Sequence, residues 1–140
     1  MSDAPAPIIR GVFDRSALRS YTNGHVHVGD IVRMFARDEE LVAIPATALL
    51  RAHAESVHDR LATALLGLLV TLPGVTVVNL DADAAARAAD SVVMANGDLA
   101  RGHAIWVALE YEATYFSVEP GEAVKALTED QVIPIPPEDA

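Results

Sequence analysis

Short apolar runs alternate with helix-like patterns along the whole chain. The runs predict strands at residues 8–14, 41–45, 75–80, 113–118 and 131–135. Helices are predicted between them at 16–21, 30–37, 46–72 with a break near His58 and Asp59, 81–95, 99–111 and 119–127. Strands that alternate with helices indicate a mostly parallel central sheet flanked by helices, which is an α/β fold.

The chain is predicted to form a single domain. Its 140 residues suit one core, and no linker or repeat divides the middle. Residues 1–7 and 136–140 are rich in proline or charge, so we expect flexible ends around a domain at 8–135. Pro134 lacks an N–H donor, so the last strand is predicted at an edge of the sheet.

Composition narrows the classes of function. The formal net charge is −10, which argues against a broad basic surface for nucleic acid. There is no cysteine, so thiolate metal sites are excluded. The longest apolar run, residues 61–72, is too short to span a bilayer, and no signal peptide is recognisable. We therefore expect a cytoplasmic protein without a membrane segment.

Three carboxylates follow or face the carboxyl ends of predicted strands. Asp14 ends the first strand, Glu119 follows the fourth, and Asp98 opens a helix that could point to the same edge. Oxygen ligands of this kind suit Mg²⁺ or Mn²⁺, and such an ion can activate water against a phosphodiester. Each acid also has a plain alternative: Asp14 and Asp98 as helix caps, and Glu119 in a turn.

Three segments together resemble the PIN-domain family of VapC-type toxins and related nucleases. They are "VFDRSAL" (12–18), "AIPATALLRAH" (43–53) and "GDLARGHAIWVALEYEATYFSVEP" (97–120). The resemblance implies a PIN-like domain and a metal-dependent ribonuclease of toxin–antitoxin type. It implies Asp14, Asp98 and Glu119 as catalytic and metal-binding residues, Mg²⁺ or Mn²⁺ as cofactor, RNA as substrate, and a small antitoxin-type protein as partner.

Two positions depart from the family pattern. Arg51 stands where the family has a glutamate, and Arg101 stands where its last long helix often has a second acid. The arginines could pair with Asp14 and Asp98 where a metal would lie. Ser16 and Glu55 are further candidates for the rim of the site, and Glu55 could replace the missing glutamate. The alternative function is therefore an inactive PIN-like module that binds a protein partner or RNA.

PIN-like proteins commonly pair, so the resemblance also implies a homodimer. We expect the interface on the helices around residues 31–35 and 49–66, which are rich in aliphatic residues. In the first of these helices, Ile31, Met34 and Phe35 are predicted to share one face.

Overall fold

A five-stranded parallel sheet, flanked by helices, forms the centre of the domain in the computed structural model, which describes residues 6–138. The strands are β1 (Ile9–Phe13), β2 (Leu41–Pro45), β3 (Val75–Val78), β4 (Thr114–Ser117) and β5 (Val132–Pro134). The helices are α1 (Arg15–Thr22), α2 (His27–Arg37), α3 (Ala46–Glu55), α4 (Arg60–Leu69), α5 (Ala82–Met94), α6 (Leu99–Tyr111) and α7 (Pro120–Ala123), and a 3₁₀ turn spans Glu129–Gln131. The predicted α/β class is confirmed.

The strand order is β3-β2-β1-β4-β5, and every neighbouring pair is parallel. Side chains alternate across the strands, so β1 sends Phe13 to one face and Val12 to the other. Helices α1 to α4 supply most of the apolar side chains packed on the Phe13 face, while α5 and α6 cover the Val12 face. Both faces of the sheet are therefore buried, as a parallel sheet requires.

Most predicted elements lie within one or two residues of the observed ones, with three differences. Helix α2 begins at His27, inside the predicted loop, α4 ends at Leu69 instead of residue 72, and α7 ends at Ala123 instead of residue 127. The predicted break between α3 and α4 is present at residues 56–59, where Asp59 caps α4. Pro134 lies in β5 at the edge of the sheet, as predicted.

The predicted apolar face of α2 is wrong at Met34, whose exposed fraction is 42%. The buried side of the helix is formed by Val28, Val32 and Phe35, which follow one another at spacings of four and three residues. Ile31 is half-buried beside them.

The predicted flexible ends fall partly outside the described residues. Residues 1–5 and 139–140 are not described. Residues 6 and 7 have no regular structure, and the Glu138 carbonyl lies 3.0 Å from Nε2 of His27. Flexibility of the ends stays a prediction. Across residues 6–138, every helix is too short or too polar to cross a bilayer.

Helices α5 and α6 approach each other closely at Gly102. A Cβ atom at this position would lie 2.5 Å from both Cα and Cγ2 of Val92. The backbone of α5 therefore leaves no room for a side chain there. The same helix buries His103, whose Nδ1 lies 2.8 Å from Oγ1 of Thr47, and burial lowers the pKa of this imidazole to about 4. His103 is thus a neutral core residue, which fits the packing of α6 against α3.

We expect Gly102→Ala to lower the free energy of unfolding by about 2 kcal/mol or more, because the helix backbones must move apart. Gly67 is the matched control. It lies in α4, and a Cβ there would meet open space. Gly67→Ala should raise the free energy of unfolding by up to about 1 kcal/mol through helix propensity. Urea unfolding of both variants measures the two changes, and equal effects would contradict the close approach of the helices.

Candidate functional site

The candidate site lies at the carboxyl ends of β1 and β4. These neighbouring strands mark the point at which the strand order changes direction, because β2 and β3 lie on one side of β1 while β4 and β5 lie on the other. Open α/β sheets bind ligands in the crevice at such a point. The register Phe13↔Phe116 brings the residues that follow, Asp14 and Ser117, side by side.

Asp14 is buried at this point, with an exposed fraction of 4%. Its Oδ1 accepts hydrogen bonds from Ser16 Oγ at 2.6 Å and the Ala17 N–H at 3.0 Å. Its Oδ2 accepts from Ser117 Oγ at 2.6 Å and Tyr115 Oη at 3.1 Å. A carboxylate offers about four lone-pair positions, so these donors fill its capacity.

The two serines extend this network to the backbone after β4. The Val118 N–H donates to Ser16 Oγ, and the Glu119 N–H donates to Ser117 Oγ, both at 2.9 Å. Each serine therefore accepts from the chain after β4 and donates to Asp14. Burial raises the pKa of the Asp14 carboxyl above its ordinary value, although the four donors act in the opposite direction.

Above Asp14, six charged side chains form a closed circuit of alternating sign, here called the ion-pair ring. In order around the circuit, the ring contains Arg15, Glu55, Arg51, Asp98, Arg101 and Glu119. It joins α1, α3, the start of α6 and the start of α7. Three arginines face three carboxylates, so the formal charge of the ring is zero.

Asp98 contacts two arginines of the ring and one backbone N–H. Its Oδ2 lies 3.2 Å from Arg51 Nη1 and 3.3 Å from Arg101 Nη1, while its Oδ1 accepts the Arg101 N–H at 2.9 Å. Partial burial works against the charged form, but the Arg101 N–H and the two guanidinium charges outweigh it and lower the pKa of Asp98.

Glu119 and Glu55 complete the ring through Arg15. Glu119 lies 3.0 Å from Arg101 Nη2 and 3.2 Å from Arg15 Nη2. Glu55 lies 3.5 Å from Arg15 Nη1 and 4.0 Å from Arg51 Nε, and it also binds Arg19 at 3.1 Å. Every ring carboxylate therefore contacts at least two arginines.

A small cavity of about 10 Å³ remains between the ring and Asp14. The predicted acids Asp14, Asp98 and Glu119 all line it, so the structure brings them together. The predicted rim residues Ser16, Arg51 and Arg101 line it as well, whereas Glu55 stands in the ring outside it. The volume holds about one water molecule.

These residues do not fit a Mg²⁺ or Mn²⁺ site. Such ions require carboxylate oxygens that are free to coordinate, together with room for several waters. The Asp14 oxygens are occupied by four donors, and the oxygens of Asp98 and Glu119 are held by guanidinium groups. The expected pairing of an arginine with Asp14 is not seen, because hydroxyl groups bind Asp14 while both Arg51 and Arg101 bind Asp98.

Three residues at the site were not predicted from the sequence: Arg15, Tyr115 and Ser117. Arg15 directly follows Asp14 at the first position of α1, which was the available signal for its place beside the site. Tyr115 and Ser117 reach Asp14 only because β4 pairs with β1. Strand order is not encoded in any local pattern, so the available signal was the position of Ser117 two residues before the predicted Glu119.

The fold and site together define a single-domain α/β protein with a neutral, arginine-closed crevice at the switch point of a parallel sheet. No family model matches this chain, and no curated protein matches it.

We expect Asp14→Ala to lower the free energy of unfolding by about 3 kcal/mol or more. The substitution leaves buried hydrogen-bond donors without an acceptor and removes the cap of α1. Asp59→Ala is the matched control, since the exposed Asp59 caps α4 through the Ala62 N–H. Its loss should be about 1 kcal/mol. Urea unfolding compares the two, and equal losses would mean that the network around Asp14 adds nothing beyond a cap.

Proposed function

We propose that this chain is a PIN-like domain without nuclease activity, which works as a protein-binding module. The supporting observation is the ion-pair ring: the positions at which the PIN resemblance expects further acids carry Arg51 and Arg101, and both contact Asp98. Two of the three acids that would hold an ion, Asp98 and Glu119, are thereby paired with resident cations. Metal-dependent ribonuclease activity is the competing function, and it is supported by the shared cavity of Asp14, Asp98 and Glu119.

Electrostatics favours the inactive module. Two unit charges about 4 Å apart interact by about 4 kcal/mol at an effective dielectric constant near 20. A divalent ion placed that far from one guanidinium would be repelled by about twice this amount. Because the ring has no net charge, attraction by its carboxylates and repulsion by its guanidinium groups roughly cancel, and the ring offers the ion no net attraction.

A protein partner fits the surface better than RNA does. The formal net charge of −10 opposes binding to phosphate backbones in general. Helix α4, by contrast, is apolar on both sides: Ala62, Leu66 and Leu69 are buried, while Leu61 and Leu68 are 69% and 51% exposed. A helix that is apolar all round is normally covered.

We propose that a second copy of the chain covers this surface. Leu50 in α3 and Val57 in the turn before α4 are also exposed, and these four side chains are here called the α4 patch: Leu50, Val57, Leu61 and Leu68. Three of its four residues fall within the segment 49–66 that was expected to form the dimer, and Leu68 lies just beyond it. Two-fold pairing would place each patch against its own copy. Phe35 and Leu66, which also fall within the expected segments, are buried in the monomer core and take no part.

The unmodified protein should bind Mn²⁺ or Mg²⁺ only weakly and leave structured RNA intact. The double variant Arg51→Glu, Arg101→Asp should bind Mn²⁺ at least about tenfold more tightly, because the rim changes from neutral to strongly acidic. Isothermal titration with each metal, followed by a cleavage assay, measures both properties.

The matched control is Arg33→Glu, Arg37→Asp, which changes the net charge equally on the exposed side of α2. It should leave metal affinity as in the unmodified protein. Strong Mg²⁺-dependent cleavage of RNA by the unmodified protein, lost in Asp98→Asn, would contradict the inactive module and support the nuclease.

The unmodified protein should have the mass of a dimer at micromolar concentration, measured by light scattering after size exclusion. Leu61→Glu combined with Leu68→Glu should give a monomer, because paired patches cannot bury four new charges. Val93→Glu, at an exposed position of α5, serves as control and should stay dimeric. A monomer mass for the unmodified protein would refute the proposed pairing.

A further inference from the structure

The outer edge of β3 lacks a neighbouring strand. β3 stands first in the strand order, and among the strands of residues 6–138 it pairs with β2 alone. All residues of β3 are half-buried, whereas most residues of β1, β2 and β4 are buried. The edge therefore exposes backbone that a further strand would cover.

The register of β3 shows which of its backbone groups point outward. Val42 pairs with Val75, and the Val42 N–H donates to the Gly74 carbonyl at 2.8 Å. In a parallel ladder each strand uses every second residue to bond one neighbour. Thr76 therefore faces β2 as Gly74 does, and Val77 faces outward. The outward groups of β3 include the Val75 carbonyl and both backbone polar groups of Val77.

These outward groups have no partner in the part of the chain that the structure describes. The Val75 N–H donates to the Leu72 carbonyl. No other strand, turn or side chain within residues 6–138 binds the Val75 carbonyl or the backbone of Val77. Unpaired N–H and C=O groups of an edge strand are the groups through which an extended peptide adds to a sheet.

The opposite edge of the sheet is blocked by proline. The Ile135 N–H donates to the Ser117 carbonyl, and Ser117 pairs with Pro134 in β5. By the same alternation Pro134 faces outward, where it offers no N–H. Residues 75–80, by contrast, contain neither proline nor a charged side chain. Natural proteins block edges with such residues, so β3 is the edge left open to a partner.

The strand-forming sequence extends beyond the paired part of β3. Pairing ends where Val78 lies opposite Pro45, the last residue of β2. The next two residues, Asn79 and Leu80, are exposed, although the apolar run predicts a strand through residue 80. A strand added to the outer edge would supply the neighbour that β2 does not, and it would lengthen the pairing to Leu80.

Acidic side chains stand at both ends of this edge. Three acids line a cavity at the start of β3, and two more follow its end at the start of α5. The five are Asp38, Glu39, Glu40, Asp81 and Asp83. Three of them contact an arginine, whereas Glu39 and Asp81 have no arginine partner within residues 6–138. The edge is therefore flanked by an excess of negative charge.

A second copy of the chain fits this edge poorly. Two-fold pairing of two β3 strands is antiparallel, so it would set the acidic start of one strand against the acidic end of the other. Like charges placed opposite each other in a sheet are destabilising. A strand that carries lysine or arginine at its ends has the complementary charge.

We propose that the outer edge of β3 binds an extended segment of another protein, with basic residues on both sides of an apolar run. The segment adds to the five-stranded sheet as a further strand. Val75 and Val77 supply backbone hydrogen bonds, and the acids at both ends of β3 attract the basic residues. The inference rests on the proposed protein-binding function and adds the class of partner.

The test titrates the full chain with a synthetic ten-residue peptide in which threonine and valine alternate between two lysines at each end. A peptide with glutamate in place of each lysine is the control for charge. The lysine peptide should bind in a saturable way. The glutamate peptide should bind at least about tenfold more weakly, because it meets acids at both ends of the edge. Fluorescence anisotropy of labelled peptides measures both affinities.

Amide hydrogen exchange, measured by NMR, locates the bound peptide on the unmodified protein. The Val77 N–H should exchange at least about tenfold more slowly at saturating lysine peptide, because it gains an acceptor. The Val78 N–H, which faces β2, should be protected with and without peptide and serves as the internal reference.

Val77→Pro removes the outward N–H without removing a hydrogen bond to β2. It should weaken binding of the lysine peptide at least about tenfold. Glu129→Pro is the matched control, because it places proline at the first residue of the 3₁₀ turn before β5, where the preceding Thr128 is already extended. This control should bind the peptide as the unmodified protein does.

Unchanged exchange of the Val77 N–H at saturating peptide would overturn the proposal, as would equal affinity for the two peptides or no binding of either. A dimer that Val77→Pro converts to a monomer, while Leu61→Glu with Leu68→Glu does not, would assign the edge to a second copy and also overturn it. Cleavage of RNA by the unmodified protein would contradict the proposed inactivity alone. A failure of the proposed function is thus distinguishable from a failure of strand binding.

Discussion

The buried carboxylate of Asp14 ties the first half of the fold to the second. Through Ser16 and the Ala17 N–H it fixes the start of α1, and through Ser117 and Tyr115 it fixes the end of β4. β1 and β4 are neighbours although about a hundred residues separate them, and this network closes that long loop at the strand ends. Burial of the Tyr115 hydroxyl and the charge of Asp14 raise the pKa of the phenol, so it remains a donor.

The ion-pair ring lies next to the hydrogen-bond network of Asp14. Two of the ring residues adjoin this network: Arg15 follows Asp14, and the Glu119 N–H donates to Ser117. Single exposed ion pairs contribute little, about 0 to 1 kcal/mol, but a closed circuit shares the cost of ordering each side chain between two contacts. The main effect of the ring is therefore to fix the positions of α3, α6 and α7 relative to α1. Its contribution to the free energy of unfolding is small.

The sequence predicted the elements well because their signals are local. Each signal predicts an element at its own place in the chain. Asp98 after "NG" predicts the start of α6, and Pro134 predicts an edge strand. It predicted the site less completely. Three acids were expected at one edge of the sheet, and they do line one cavity: Asp14, Asp98 and Glu119. The partners of Asp14, however, depend on the order of the strands. The partners of Glu55 depend on how α3 packs against α1. Such contacts join distant segments, and no periodicity records them.

The alternation of charge in the ring constrains how the chain can change over generations. Replacing Arg101 alone by an acid would place a third carboxylate beside Asp98 and Glu119. Arg51 would then be the remaining ring partner of Asp98, and Arg15 that of Glu119. Replacing Arg51 alone would do the same to Asp98 and Glu55. Every single step thus passes through a crowded, like-charged intermediate. An evolutionary path between a neutral crevice and an acidic one would therefore need a compensating positive charge, such as a bound metal ion, to arrive with the new acid.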